Sequence, residues 1–114
     1  MDIWTLPEPI AAYFAAEHDP DALAHCFTAH AVMTDDGHRY TGIDAIKAFM
    51  AEASAKYAAT SVPFAIERED GIHCVRANVG GNFPGSPVVL SYRFRLERGL
   101  IASLEVTVSA STCI

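Results

Sequence analysis

Apolar residues recur at helical spacing through the first half of the chain and alternate with polar ones through the second, so the pattern predicts two kinds of element. In "LPEPIAAYFAAEH" the residues Ile10, Tyr13, Phe14 and the alanines form one broad apolar face behind a Pro and a Glu that suit a helix N-terminus. This predicts a helix over residues 7–18. "HDPDALAHCF" restarts the pattern with Asp19 as N-cap and Pro20 at the first helical position, giving a short second helix that ends near Phe27. A short apolar run then leads to "AVMTD" as a strand, and "TGIDAIKAFMAEASAKY" follows as the third helix. There Thr41 and Asp44 have capping-box spacing, and Ile43, Ile46, Phe49, Met50, Ala53 and Tyr57 recur at helical intervals.

From Ser61 the period changes to two. "SVPFAIERE", "IHCVRANVGGNF", "PVVLSYRFRLE" and "LIASLEVTV" read as strands, with hairpin signals at Asp70-Gly71 and Arg98-Gly99 and a wider turn at "FPGSP". Val88, Leu90, Tyr92, Phe94 and Leu96 share one face of the third of these, and Val89, Ser91, Arg93, Arg95 and Glu97 share the other. Gly80-Gly81 within a strand-like run marks a bulge or bend. Helices first and a meander afterwards make an α+β layout, with three helices covering one face of the sheet.

Composition narrows the class without changing this layout. With 114 residues, 51% apolar and 19% charged, residues 1–114 form a single globular domain with no linker or internal repeat. The 8 basic and 14 acidic residues leave a net charge of -6, and the basic ones are scattered, which excludes nucleic acid as an expected partner. No apolar run is long enough to span a membrane, and "MDIWTLPEP" lacks the basic and apolar regions of a secretory signal. Cys26, Cys74 and Cys113 have no CxxC spacing and read as ordinary thiols, so a cytoplasmic location is expected. His18, His25, His30 and His73 form no ligand spacing with a carboxylate, and neither a metal nor a cofactor is expected.

The candidate chemistry lies in "AVMTDDGHRYTG", where Asp35, Asp36 and His38 follow the apolar strand. Asp-Asp-Gly is on one reading a turn in which a side chain caps backbone N–H groups, and on the other half of an acid–base site with Asp35 inward and Asp36 turned to solvent. His38, with a reference pKa near neutrality, is a second acid or base on the latter reading and a solvated loop residue on the former.

The chain from Leu6 to Val108 resembles the nuclear transport factor 2-like superfamily, in particular its SnoaL-like and ketosteroid isomerase-like group. The resemblance is carried by "IAAYFAAEHDPDALAHCFTAHAVMTDDG", which follows that group's helix, short helix and acid-bearing strand, and by "YTGIDAIKAFM", which matches its G-x-x-x-I-x-x-F helix. It implies a cystatin-like fold in which a strongly curved, mostly antiparallel sheet wraps the helices around a cone-shaped pocket. It also implies that Asp35 stands where the isomerase-like enzymes carry their general base, and Tyr13 where they carry an oxyanion-binding tyrosine. At the place of their second, protonated acid this chain has Tyr92, which donates as a phenol and not as a carboxylic acid. Enolisation in a broad sense is implied; ketosteroid isomerisation in particular is not. A polyketide cyclase base later in the sheet, or the Asp-Arg-Asp set of epoxide hydrolases, finds no match, because Val75, Ala77, Val79 and Leu104 are apolar.

Phe14, Phe49, Val75, Val79, Leu90, Phe94, Leu104 and Val106 are the expected pocket lining, and Phe27, Phe64 and Phe83 are expected in the core or the lining. Such a pocket suits a hydrophobic small molecule. Cys74, Arg76, Asn78, Val89, Ser91, Arg93, Arg95, Ile101, Ser103 and Glu105 make a mixed outer sheet face, through which the resemblance implies a homodimer. Three functions stay open: an isomerase- or lyase-type proton shuttle on a hydrophobic carbonyl compound, a non-catalytic ligand-binding module, and a dimeric protein-interaction domain whose pocket is filled by its own side chains.

Overall fold

A computed structural model describes residues 6–108. Helix α1 (Glu8–Ala15) opens behind Pro7, buries Ile10 and Tyr13, and ends at Ala15, three residues short of the expected end at 18, with Ala16 as its C-cap. Residues before a proline are driven out of helical backbone, and here Asp19-Pro20 follows at once. The Glu17 carboxylate is also drawn away, accepting the Ser61 backbone N–H with both oxygens at 3.1 Å. Helix α2 (Pro20–Ala24) starts as expected, with the Asp19 side chain accepting from Ala22 N at 3.2 Å. It ends before Phe27, which instead opens strand β1 (Phe27–Asp35), because the Cys26 carbonyl accepts from Ile101 N at 2.8 Å and pulls the chain into the sheet.

Between β1 and the third helix lies a strand the pattern did not reveal, β2 (His38–Thr41), hairpinned onto β1 with Asp35 opposite His38. Its turn, Asp36-Gly37, has positive φ at both residues (51° and 81°), the geometry that matches the twist of the flanking strands. Helix α3 (Ile43–Tyr57) follows, but the Thr41–Asp44 capping box does not form. Thr41 remains in β2, and Gly42 is the N-cap at φ 89°, a backbone state open to glycine, with its N–H given to the Ala31 carbonyl at 2.8 Å.

Strands β3 (Thr60–Glu69), β4 (Ile72–Gly80), β5 (Val88–Glu97) and β6 (Leu100–Val108) form the expected antiparallel meander. The full sheet runs β2-β1-β6-β5-β4-β3 and is mixed, since β1 lies parallel to β6. Register shifts in β1, β3 and between β5 and β6 accompany its curvature. The helices do not precede the sheet as a block: β1 and β2 intervene before α3, which packs on both strands and on α2, while α1 packs on β6.

The core fills the concave side, where Ile10, Leu23, Met33, Ile46, Val75, Phe94, Ile101 and Leu104 are almost wholly buried. Ile101, expected on the outer face, is among them. The shift that pairs Arg95 with Ser103 but Leu96 with Ile101 inserts one extra β6 residue and turns Ile101 inward. Phe64 departs in the other direction: it is 42% exposed on the outer face, beneath the Arg76 guanidinium at 5.6 Å from the ring centroid. Cys26 is a buried free thiol but Cys74 is disulfide-bonded, so the reading of ordinary thiols fails at Cys74 and lends no support to a reducing compartment. Among the described residues, no helix is long and apolar enough to cross a membrane.

Candidate functional site

The open end of the curved sheet holds a cavity of about 530 Å³, within the range that encloses a small organic ligand. Its walls come from the end of α1, the β1–β2 hairpin, the inner face of α3, and the β3, β4, β5 and β6 segments that face them. All four residues singled out for chemistry, Asp35, Tyr13, Tyr92 and His38, line this one space. They come from α1, β1, β2 and β5, so only the fold brings them together.

Tyr13 and Tyr92 are each 4% exposed. Their rings, 6.2 Å apart, belong to an edge-packed aromatic cluster with Phe14 and Phe94. That packing fixes the ring planes, which orients the hydroxyls as donors. The Tyr92 hydroxyl shares a hydrogen bond of 3.4 Å with Ser61 Oγ. Tyr13 has no side-chain hydrogen bond among the described residues, which leaves its O–H for whatever enters the cavity. Burial, followed by the charges of Tyr92, Asp35 and Glu17, holds the Tyr13 phenol well above its ordinary pKa. Burial likewise pushes Tyr92 up to about 12, partly offset by its Ser61 bond. Both phenols are therefore neutral donors at physiological pH, not bases.

Asp35 ends β1 opposite Val106 of β6 and is half-buried at the cavity wall. Desolvation and then the neighbouring Asp36 charge raise its pKa above the ordinary carboxylate value, with His38 opposing. No hydrogen bond to the Asp35 carboxylate is formed among the described residues, and the Asp36 N–H is given to the Val106 carbonyl at 3.4 Å. The turn-cap alternative for Asp35 is not the arrangement found. Asp36, expected to turn away, lies exposed at the rim beside Asp35, because its left-handed backbone breaks the strand alternation there.

The expected lining is divided. Phe49, Val79, Leu90 and Val106 face the cavity, whereas Phe14, Val75, Phe94 and Leu104 do not line it. Phe94, Val75 and Leu104 are consumed in the core beneath, and Phe14 packs edge-on against Tyr13 and Tyr92. Strand alternation alone cannot tell a pocket wall from the packed floor below it, since both lie on the same face. Phe83, read as core or lining, is at the wall, and Phe27 is in the core.

Glu17 and His18, not expected at the site, line the cavity from the end of α1, as do Tyr40, Ser54 and Ser61 from β2, α3 and β3. His18 Nδ1 shares a hydrogen bond of 2.7 Å with Ser54 Oγ, and Glu17 grips Ser61 N. The available signal was the Asp19-Pro20 break, which ends the helix early and frees these side chains from its outer face. Among the described residues, no group of three or more His, Cys, Asp and Glu is placed to hold a metal.

Comparison with known proteins agrees with this architecture. The SnoaL-like domain family matches residues 10–104. A proposed polyketide cyclase from Sinorhizobium meliloti is 38% identical, with 90% of this chain and 95% of that one covered at a TM-score of 0.86. A protein of ketosteroid isomerase-like fold from Catenulispora acidiphila, solved with trimethylamine, is 26% identical over 94% and 89% of the two chains, with a TM-score of 0.80. A cystatin-fold protein from Novosphingobium aromaticivorans shares the fold at 16% identity, covering 88% and 95% with a TM-score of 0.73. Among curated proteins, none matches.

Proposed function

The chain belongs to the SnoaL-like domain family, and on that premise we propose that it is a proton-shuttling enzyme acting on a hydrophobic carbonyl compound. The observation that carries this reading is one cavity faced by a half-buried, unbonded carboxylate and two buried neutral phenols. Asp35 takes a proton from the carbon next to the carbonyl; the C–H electron pair moves into the new C=C bond and the oxygen gains the charge. Tyr13 and Tyr92 donate their O–H groups to that oxygen as the charge develops, in surroundings where water is scarce and such bonds are strong. Asp35 then returns the proton to another carbon of the enolate, which completes an isomerisation. His38 stands at the rim, where it exchanges protons with Asp35 and solvent.

The likeness to the Sinorhizobium protein favours a second ending for the same first step. The enolate carbon attacks another carbonyl of the same substrate, closing a ring, and the proton goes to the new alkoxide. A purely binding role is the competing reading, in which Asp35 contributes only polarity.

The test is hydrogen–deuterium exchange at the α-carbon of phenylacetone and related hydrophobic ketones, followed by NMR. Wild type is expected to exchange them well above buffer, and Asp35→Asn to lower the rate by about 10²–10⁴, the usual worth of a positioned base. Ketones that bind without exchange, or an unchanged rate in Asp35→Asn, would overturn the enzyme and leave the binding module.

We also propose a homodimer through the outer sheet face. Val62 and Phe64 stand 58% and 42% exposed on or beside it, and the buried Ser91 Oγ finds no partner within the described residues. A monomeric mass at micromolar concentration would remove this assignment.

A further inference from the structure

The proposed reaction needs one general base and oxyanion donors, yet the cavity carries more negative charge than that chemistry uses. Asp35, Asp36 and Glu17 all line it, together with two histidines and, among the described residues, no lysine or arginine. The nearest basic residue of the hairpin, Arg39, falls between the lining residues His38 and Tyr40, so strand alternation turns it to the other face. Lys47 of α3 is bound to Asp21 and faces away from the lining. Glu17 is already occupied with Ser61 N, but the Asp35 and Asp36 carboxylates, on adjacent residues, form no ion pair among the described residues, His38 alone opposing the negative charge at Asp35.

The rest of the wall mixes aromatic side chains with aliphatic and small ones. Tyr13, Tyr40, Phe49, Tyr57, Phe83 and Tyr92 all contribute, and ring faces attract cations through their quadrupole. Lys56 shows that attraction on this wall from outside the lining, its ammonium 5.3 Å from the Tyr57 ring centroid. Independently of the acids, Tyr13 is 4% exposed and lines the cavity, and its hydroxyl has no hydrogen-bond partner among the described residues, which marks the space as one built for a ligand.

Resting on the proton-shuttle reading, we propose that the substrate carries a fixed or protonated amine as well as its carbonyl, with the ammonium seated at the acidic rim by Asp36 and the aromatic wall. The carbonyl oxygen then reaches Tyr13 and Tyr92 while Asp35 attends to the carbon between. A cation at the rim offsets the repulsion between the two carboxylates and favours the ionised form of Asp35, the form that accepts a proton. An anionic substrate meets the opposite field.

The test uses three methyl ketones of equal chain length: one ending in a trimethylammonium group, one in its uncharged tert-butyl isostere, and one in a carboxylate. Dissociation constants come from NMR titration and exchange rates from α-deuteration. The ammonium ketone is expected to bind about tenfold or more tighter than the isostere, with the carboxylate weakest and the preference shrinking as salt is raised. Asp36→Asn, which keeps a side chain that tolerates the positive φ of this turn, should lose most of the preference. Equal or tighter binding of the isostere, a preference unchanged in Asp36→Asn, or no binding of any of the three would overturn the proposal. Preference for the cation without exchange would instead sink the proton shuttle and keep the ammonium site; exchange of the isostere without any preference would do the reverse.

Discussion

Replacing Gly81 by alanine tests how tightly the cavity mouth is assembled. A Cβ at Gly81 would lie 2.7 Å from the Tyr57 carbonyl oxygen, 2.8 Å from Ala59 Cα and 3.1 Å from Ala59 Cβ. The closest of these falls about 0.7 Å short of ordinary contact, and its partner is backbone that cannot swing aside. That carbonyl is also committed, accepting Asn82 N at 2.7 Å as α3 hands over to β3. Overpacking of this kind costs about 1–3 kcal/mol, of which the stiffer unfolded chain of an alanine variant returns about 0.4–1 kcal/mol. A net loss of about 1–2 kcal/mol corresponds to a fall of about 5–15 °C in Tm for a domain of this size. Gly80→Ala is the internal control, because its Cβ would find nothing nearer than the Ser86 hydroxyl at 3.8 Å. Thermal and urea unfolding of the two variants beside wild type make the comparison. Since Tyr57, Ala59 and Phe83 line the cavity, ligand affinity should fall in Gly81→Ala as well. A Gly81→Ala protein that melts with wild type and with Gly80→Ala would refute the close approach on which the reasoning stands.

Folding raises the Asp35 pKa, chiefly by desolvation, so the native protein keeps that proton to higher pH than the unfolded chain does. The contribution is full below the ordinary carboxylate range and is lost as pH rises through the raised value. Asp35→Asn should therefore gain stability relative to wild type on passing from acid to neutral pH while losing exchange activity; a variant less stable than wild type at neutral pH would make Asp35 a structural group. The acid limb of the wild-type exchange profile should likewise fall above the ordinary carboxylate range, and a midpoint at or below it would exclude Asp35 as the base. Tyr13→Phe should lower exchange by about 10²–10³ with little change in Tm, since among the described residues its hydroxyl has no side-chain partner to lose. Tyr92→Phe should cost less, its hydroxyl being shared with Ser61 before any ligand arrives; equal losses, or a greater one at Tyr92, would reverse the assignment of the main donor.

What the sequence determined by itself was whatever depends on near neighbours. The Asp19 cap, the Pro20 start, the turns at Asp70-Gly71 and Arg98-Gly99 and the alternation of β5 each follow from a few consecutive residues, and each stands in the structure. Asp35, Tyr13 and Tyr92 were legible as candidates through resemblance, because their spacing along the chain follows the order of the elements. Short β2 was not legible, since four residues stabilised by pairing with β1 carry little periodicity of their own. Ile101 reversed its face through one inserted residue, and Glu17 entered the cavity because a helix ended early; neither event has a local hydrophobic signature. The separation of pocket from core was likewise decided in three dimensions: Leu90 and Phe94 lie on one face of one strand, yet one lines the cavity and the other is packed beneath it. Face is a property of the strand and follows from its period, whereas depth depends on how far the sheet curves and what the helices fill, which only the tertiary structure fixes.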